Sequence, residues 1–78
     1  SVEALMGLAT AEIKLGRAQA ALPLLDRAFV VASNQKSPAL LVSQVHYNRA
    51  CAEVALGQNE QAIGSLKNAV KLGGAATY

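Results

Sequence analysis

Cysteine, tryptophan and proline are scarce in this chain of 78 residues, which has one Cys, no Trp and two Pro. Cys51 has no partner in the chain, so an internal disulfide is excluded and a reducing compartment such as the cytoplasm fits. No stretch approaches the roughly 20 apolar residues that a membrane helix needs, and no signal peptide is visible. We therefore expect no membrane insertion.

Charge is also low, with seven Lys and Arg against five Asp and Glu, and the basic residues are scattered along the chain. Nucleic-acid-binding domains usually cluster their basic residues on one face. The sequence therefore favours an ordinary solvated surface and no nucleic-acid partner. Ala and Leu dominate the 53% hydrophobic content, which predicts closely packed helices with small contact areas.

The chain contains an internal repeat. The segment AEIKLG at 11–16 returns as AEVALG at 52–57, an offset of 41 residues. Ala21, Leu25 and Ala28 return at the same offset as Ala62, Leu66 and Ala69. A fixed period of this length is typical of repeat architectures, which present binding surfaces more often than catalytic sites.

Apolar residues recur at helical spacing in four segments, so we predict an all-α fold with helices over 2–15, 17–32, 38–56 and 60–72. Ser1, Ser37 and Asn59 are the expected caps at helix starts, and Gly16 and Gly57 are expected to end helices. The expected apolar stripes of the first three helices include Leu5, Leu8, Ala9, Ile13, Ala21, Leu25, Ala28, Phe29, Leu41, Val45, Tyr47, Ala50, Cys51 and Val54. In the last helix, the expected buried stripe is Ala62, Ile63, Leu66, Ala69 and Val70.

Short glycine turns within each helix pair force antiparallel neighbours, and a polar linker over 33–37 separates the pairs. The predicted organisation is therefore one helix hairpin over 1–34, a second over 35–74 and a short truncated tail over 75–78. Two hairpins are fewer than the roughly three repeats that stability usually requires. We expect either further flanking repeats or self-association through the apolar ends, which carry Leu22, Leu24, Val31, Val70 and Leu72.

The pattern resembles tetratricopeptide repeats. The same series of residues occurs twice in the same order. It consists of a pair ending in Ala, a turn Gly, and then Ala, a large apolar residue and Ala. These residues are Leu8-Ala9, Gly16, Ala21, Leu25 and Ala28, then Arg49-Ala50, Gly57, Ala62, Leu66 and Ala69. The longer period, Pro38, and Pro23 after the second-helix Ala resemble the variant found in kinesin light chains. The resemblance implies two antiparallel helix-turn-helix hairpins stacked as a right-handed solenoid, with alanine wherever helices press together.

In that family the first helix of each hairpin lines a concave groove that holds a partner peptide or helix. Carried over by position, the groove residues would be Met6, Thr10, Ile13, Gln44, Tyr47, Asn48 and Cys51, with Glu3 and Val54 beside them. Tyr47 offers an aromatic face, and Asn48 offers an amide that can bond a peptide backbone. The resemblance thus implies a protein-interaction scaffold. The same residues could instead face solvent or pack against neighbouring repeats.

Two other roles stay open from the residues: a regulatory segment that binds a small effector, and an accessory domain beside a catalytic region. Catalysis within this chain itself is not expected. His46 and Cys51 lie about 140° apart around one helix, which suits neither a metal site nor an activated nucleophile, so Cys51 is expected to be a small buried hydrophobe. Glu12 and Glu53 occupy equivalent repeat positions and are expected to form ion pairs. We expect no cofactor.

Overall fold

A computed structural model describes residues 1–72, and all of their regular secondary structure is helical. The helices are α1 (Val2–Lys14), α2 (Ala18–Asn34), α3 (Ala39–Ala55) and α4 (Asn59–Leu72). The expected all-α class is confirmed. The expected tail over 75–78, and the expected stop of the last helix at residues 73 and 74, lie outside the described residues.

Both helix hairpins turn at a glycine in the left-handed region, with φ of 79° at Gly16 and 77° at Gly57. A residue with a Cβ is strained in that conformation, so glycine is the natural choice. The backbone N–H of Arg17 donates to the carbonyl of Glu12 at 2.7 Å, and that of Gln58 donates to Glu53 at 2.8 Å. These equivalent bonds satisfy carbonyls that the helix ends leave free, so the repeat in sequence is a repeat in backbone geometry.

Two of the three expected caps are wrong, and one is confirmed. The hydroxyl of Ser1 accepts the amide of Ala4 at 3.2 Å. Pro38, with φ −55° and ψ 147°, lies before α3 in the cap position that was expected for Ser37. The fixed φ of proline suits a helix start, but its ψ here is extended, so the helix begins one residue later. Asn59 is already the first residue of α4.

Within each hairpin the helices run antiparallel. The start of α1 packs on the end of α2, where Val2 joins Ala28 and Ala32 in one apolar cluster. The end of α1 packs on the start of α2 in the cluster that contains Ala9 and Ala18. In the second hairpin, Ser43 lies near the start of α3 and Ala69 near the end of α4. The Ser43 hydroxyl donates a hydrogen bond of 2.8 Å to the Ala69 carbonyl.

The second hairpin packs on the first mainly through α2 and α3, with a smaller contact between α1 and α3. Leu25 of α2 and Ala52 of α3 share the first apolar cluster. Phe29 packs on His46 with ring centroids 5.2 Å apart, and Arg49 pairs with Asp26. The resulting order of helices is hairpin, linker, hairpin, as the sequence predicts.

Alanine occupies the positions where helices approach most closely. The six alanines that the repeat pattern selects are all buried: Ala9, Ala21, Ala28, Ala50, Ala62 and Ala69. A methyl group lets two backbones pack without a cavity, and a larger side chain would force them apart. The expectation that these residues lie at contacts is confirmed.

Several residues of the expected apolar stripes are exposed in the described chain, because the neighbouring helices leave much of their surface uncovered. They are Leu8, Phe29, Tyr47, Cys51, Val54, Ile63, Leu66 and Val70. Helical periodicity identifies the apolar side of a helix but not whether a neighbour lies against it. The expected burial is therefore wrong for Cys51, Ile63, Leu66 and Val70 in the chain alone.

Candidate functional site

An apolar cavity in the part of the chain that the structure describes lies between α3 and α4 and reaches the start of α1. Its volume is about 490 Å³. We call it the Tyr47 cavity, and its lining is Met6, Ser43, Gln44, Tyr47, Asn48, Leu66, Ala69 and Val70. Four of the seven sequence-predicted groove residues therefore lie around one depression.

The lining of the Tyr47 cavity is mostly apolar, with three polar side chains. Leu66 and Val70 project from α4, and both are exposed. The Ser43 hydroxyl donates to the carbonyl of Ala69. Gln44 and Asn48, one turn apart on α3, supply amide groups that both donate and accept hydrogen bonds. An apolar lining that also carries two amides suits an amphipathic polypeptide segment.

Tyr47 lines the cavity and is 56% exposed. A half-exposed tyrosine keeps its ring available for contact while its hydroxyl stays in water. The depression is consequently shallow and open.

The three other predicted groove residues lie elsewhere. The Thr10 hydroxyl donates to the carbonyl of Met6 at 2.9 Å, and Ile13 packs against the core cluster around Ala9 and Leu25. Cys51 is exposed and belongs to an adjoining depression of about 340 Å³. The expectation of a buried Cys51 is wrong because its face of α3 has no helix against it.

Leu66, Ala69 and Val70 are the lining residues that sequence reasoning assigned to the core rather than to the site. The internal repeat of the sequence could have indicated that these residues belong to an interaction surface. Their equivalents at the 41-residue offset, Leu25, Ala28 and Phe29, lie where the second hairpin packs. The last hairpin of any such stack presents the same surface with its side chains exposed.

The strongest polar cluster lies at the junction of the hairpins, away from the Tyr47 cavity. Glu53 is only 3% exposed. Its carboxylate accepts the Ser65 hydroxyl at 2.7 Å and lies 3.4 Å from the Nε of Arg49. Arg49 also pairs with Asp26 of α2, so a buried acid is satisfied and the two hairpins are tied together.

Glu12 is the repeat equivalent of Glu53, and its carboxylate oxygen lies 3.8 Å from a guanidinium nitrogen of Arg17. The expectation that both glutamates form ion pairs is confirmed. Beside this junction, burial lowers the pKa of His46 below its ordinary value, because the charged imidazolium loses hydration against Phe29.

Two further findings concern ligands and membranes. Residues 1–72 contain no group of three or more His, Cys, Asp or Glu side chains that could hold a metal ion. Over the same residues, the helices are too short or too polar to cross a bilayer.

Comparison with known proteins leaves the chain without a neighbour: no family model, no curated protein and no solved structure matches it.

Proposed function

We propose that this chain is a protein-interaction module that binds the apolar side of a partner helix or peptide in the Tyr47 cavity. In this proposal its two hairpins are tetratricopeptide-type repeats stacked as a right-handed solenoid. The supporting observation is the convergence of Met6, Tyr47 and Leu66, from three different helices, on one open apolar surface. Exposed apolar surface of this kind is a common mark of a protein-binding site.

A polypeptide partner suits the cavity better than a small effector does. Small-molecule sites usually enclose 70–90% or more of their ligand. Tyr47, Leu66 and Val70 are each at least 40% exposed, so the cavity is open and a small ligand would keep much of its surface in water. A helix or extended segment can cover the opening and continue over the neighbouring depression at Cys51 and Val54.

Selection from a displayed library of random peptides tests this proposal. The 78-residue chain is immobilised, enriched peptides are synthesised, and binding is measured by fluorescence anisotropy. The double variant Tyr47→Ala, Asn48→Ala should weaken binding by at least about tenfold, the equivalent of about 1.4 kcal/mol. The matched control is Val30→Ala, Gln61→Ala, which removes one exposed apolar and one exposed amide side chain outside the cavity and should leave binding unchanged.

Two results would contradict the proposal. One is a selection that enriches no peptide above the empty support. The other is an equal loss of binding in the Tyr47 and Val30 double variants, which would mean that recognition occurs elsewhere on the surface.

A further inference from the structure

The junction between the two hairpins is an interface with two halves, and the outer faces of the hairpins carry the repeat equivalents of these halves. One half is carried by α3 where it packs on the first hairpin, through Val45 and Ala52. The other half is carried by the first hairpin, through Leu25 and Ala28. Because the sequence repeats at an offset of 41 residues, each half has an equivalent elsewhere in the chain.

The equivalent of the α3 half lies on α1 and is exposed. We call it the outer α1 face, and it consists of Ala4, Leu8, Ala11 and Leu15. Shifted by 41 residues, these positions become Val45, Arg49, Ala52 and Leu56, all of which are buried or half-buried. The backbone is the same in both places, so the difference in exposure comes from the neighbour that α3 has and α1 lacks within residues 1–72.

The equivalent of the first-hairpin half lies on α3 and α4. We call it the outer α3–α4 face, and it consists of Tyr47, Val54, Ile63 and Leu66, all exposed. Their counterparts Met6, Ile13, Leu22 and Leu25 are half-buried or buried. Leu66 shows the contrast most clearly, with 40% exposure against 1% for Leu25. This face includes two residues of the Tyr47 cavity.

Charges at the two ends are also compatible. At the internal junction Arg49 lies between Asp26 and Glu53. The three equivalent positions hold Leu8, Lys67 and Glu12. The central cation is replaced by an apolar residue, and one flanking acid is replaced by a lysine. Opposite charges therefore remain on the two sides, with Lys67 on one end and Glu12 on the other, and these three positions bring no like charges together.

We propose that the outer α3–α4 face binds the outer α1 face of a second copy of this chain, head to tail, in the geometry of the internal junction. The proposal rests on the proposed function, whose partner helix it identifies as α1 of another copy. In that arrangement Val70 of one copy would contact Leu5 of the next, as Phe29 contacts His46 within the chain. Leu66 of one copy would likewise pack on Ala11 of the next, as Leu25 packs with Ala52. The interface is heterologous, so copies add one after another and form a stack.

Sedimentation velocity of the full chain from about 1 µM to about 1 mM, the span of moderate to weak affinities, tests the proposal. The wild-type chain should grow with concentration through dimers to larger species. Leu8→Glu and Leu66→Glu should each be monomeric over the same range, because each places a charge in one half of the interface. Gln19→Glu is the control, since it adds the same charge outside both faces and creates the residue found at the equivalent Glu60.

A mixture of the two monomeric variants gives the decisive measurement. Each variant keeps one intact face, so the mixture should form a dimer of one copy of each and grow no further. Circular dichroism must show native helix content in both variants. If Leu66→Glu fails to fold, Val70→Glu replaces it, because Val70 is exposed on the same side of α4.

Three outcomes would overturn the inference: a wild-type chain that stays monomeric throughout the range, a Leu8→Glu variant that still dimerises, or a mixture that stays monomeric. The second outcome would indicate a symmetric contact between two outer α3–α4 faces. None of the three would refute the proposed function, which is tested separately by peptide binding to Leu8→Glu. That variant keeps the Tyr47 cavity intact and should bind selected peptides like the wild-type chain.

Discussion

The same substitution at two equivalent positions, Leu25→Ala and Leu66→Ala, should have very different effects on stability. Both leucines lie on the second helix of a hairpin, 41 residues apart. Leu25 lies between the two hairpins and is 1% exposed, whereas Leu66 is 40% exposed. Helix propensity, side-chain chemistry and position within the hairpin are therefore matched, and the presence of a neighbouring hairpin is the variable.

The expected magnitudes follow from burial. Leu25→Ala removes three carbons from a closed site and leaves a cavity, which costs about 2–5 kcal/mol. Leu66→Ala removes the same carbons from a site that is open to water. At about 0.8 kcal/mol per buried methylene, reduced for the exposed fraction, its cost is about 1–1.5 kcal/mol. Total stability for a domain of this size is about 4–12 kcal/mol, so Leu25→Ala should remove a large part of it.

Urea denaturation followed by circular dichroism measures both costs, at a protein concentration low enough to keep the chain monomeric. The midpoint should fall much further for Leu25→Ala than for Leu66→Ala, with unchanged slopes. Leu40→Ala, at an exposed position of α3, is the control and should change the midpoint little. Equal losses at Leu25 and Leu66 would refute the reasoning, because they would show that the neighbouring hairpin contributes nothing to burial of this site.

Three further predictions use the same structure. Ala52→Leu should cost about 1–3 kcal/mol by overpacking the junction, while Ala11→Leu, its exposed equivalent, should stay within about 0.5 kcal/mol; comparable losses would contradict the assignment of an open α1 face. Ser65→Ala should cost about 1–3 kcal/mol by removing a hydrogen bond to the buried Glu53 carboxylate, and a neutral result in urea denaturation would contradict that bond. The lowered pKa of His46 means that the unfolded chain binds the proton first, so the melting temperature should fall as pH drops below about 6.5. His46→Leu should remove that part of the pH dependence, and an unchanged profile would assign it to other groups.

The four helices and their turns could be predicted from the sequence because local rules determine them. Gly16 and Gly57 mark the turns because only glycine takes that conformation without strain. The alanines mark the contacts because a repeated small residue on an apolar stripe indicates close approach. Cap positions were less predictable. Ser37 and Pro38 both satisfy the rules for a helix start, and the choice between them depends on one backbone angle.

The site could be predicted only in part. Gln44, Tyr47 and Asn48 share one side of α3, so a single helix is enough to group them. The contribution of α4 depends on how the two helices of the hairpin pack, and periodicity assigned Leu66 and Val70 to the core. Their pattern is identical to that of Leu25 and Phe29, whose surroundings differ. Whether an apolar residue is core or binding surface is a property of the neighbour, and the sequence of the residue's own helix does not contain it.

The same reasoning explains why a stack of repeats binds proteins. Each hairpin must expose, on its last face, the side chains that its predecessor buries, because both faces are encoded by one repeated sequence. One position on the outer α3–α4 side differs in charge from its repeat equivalent: Lys67 stands where the first hairpin has Asp26. Leu66 and Val70 remain apolar. Because both side chains are exposed in the described chain, their apolar surface is the physical reason to expect a partner on this face.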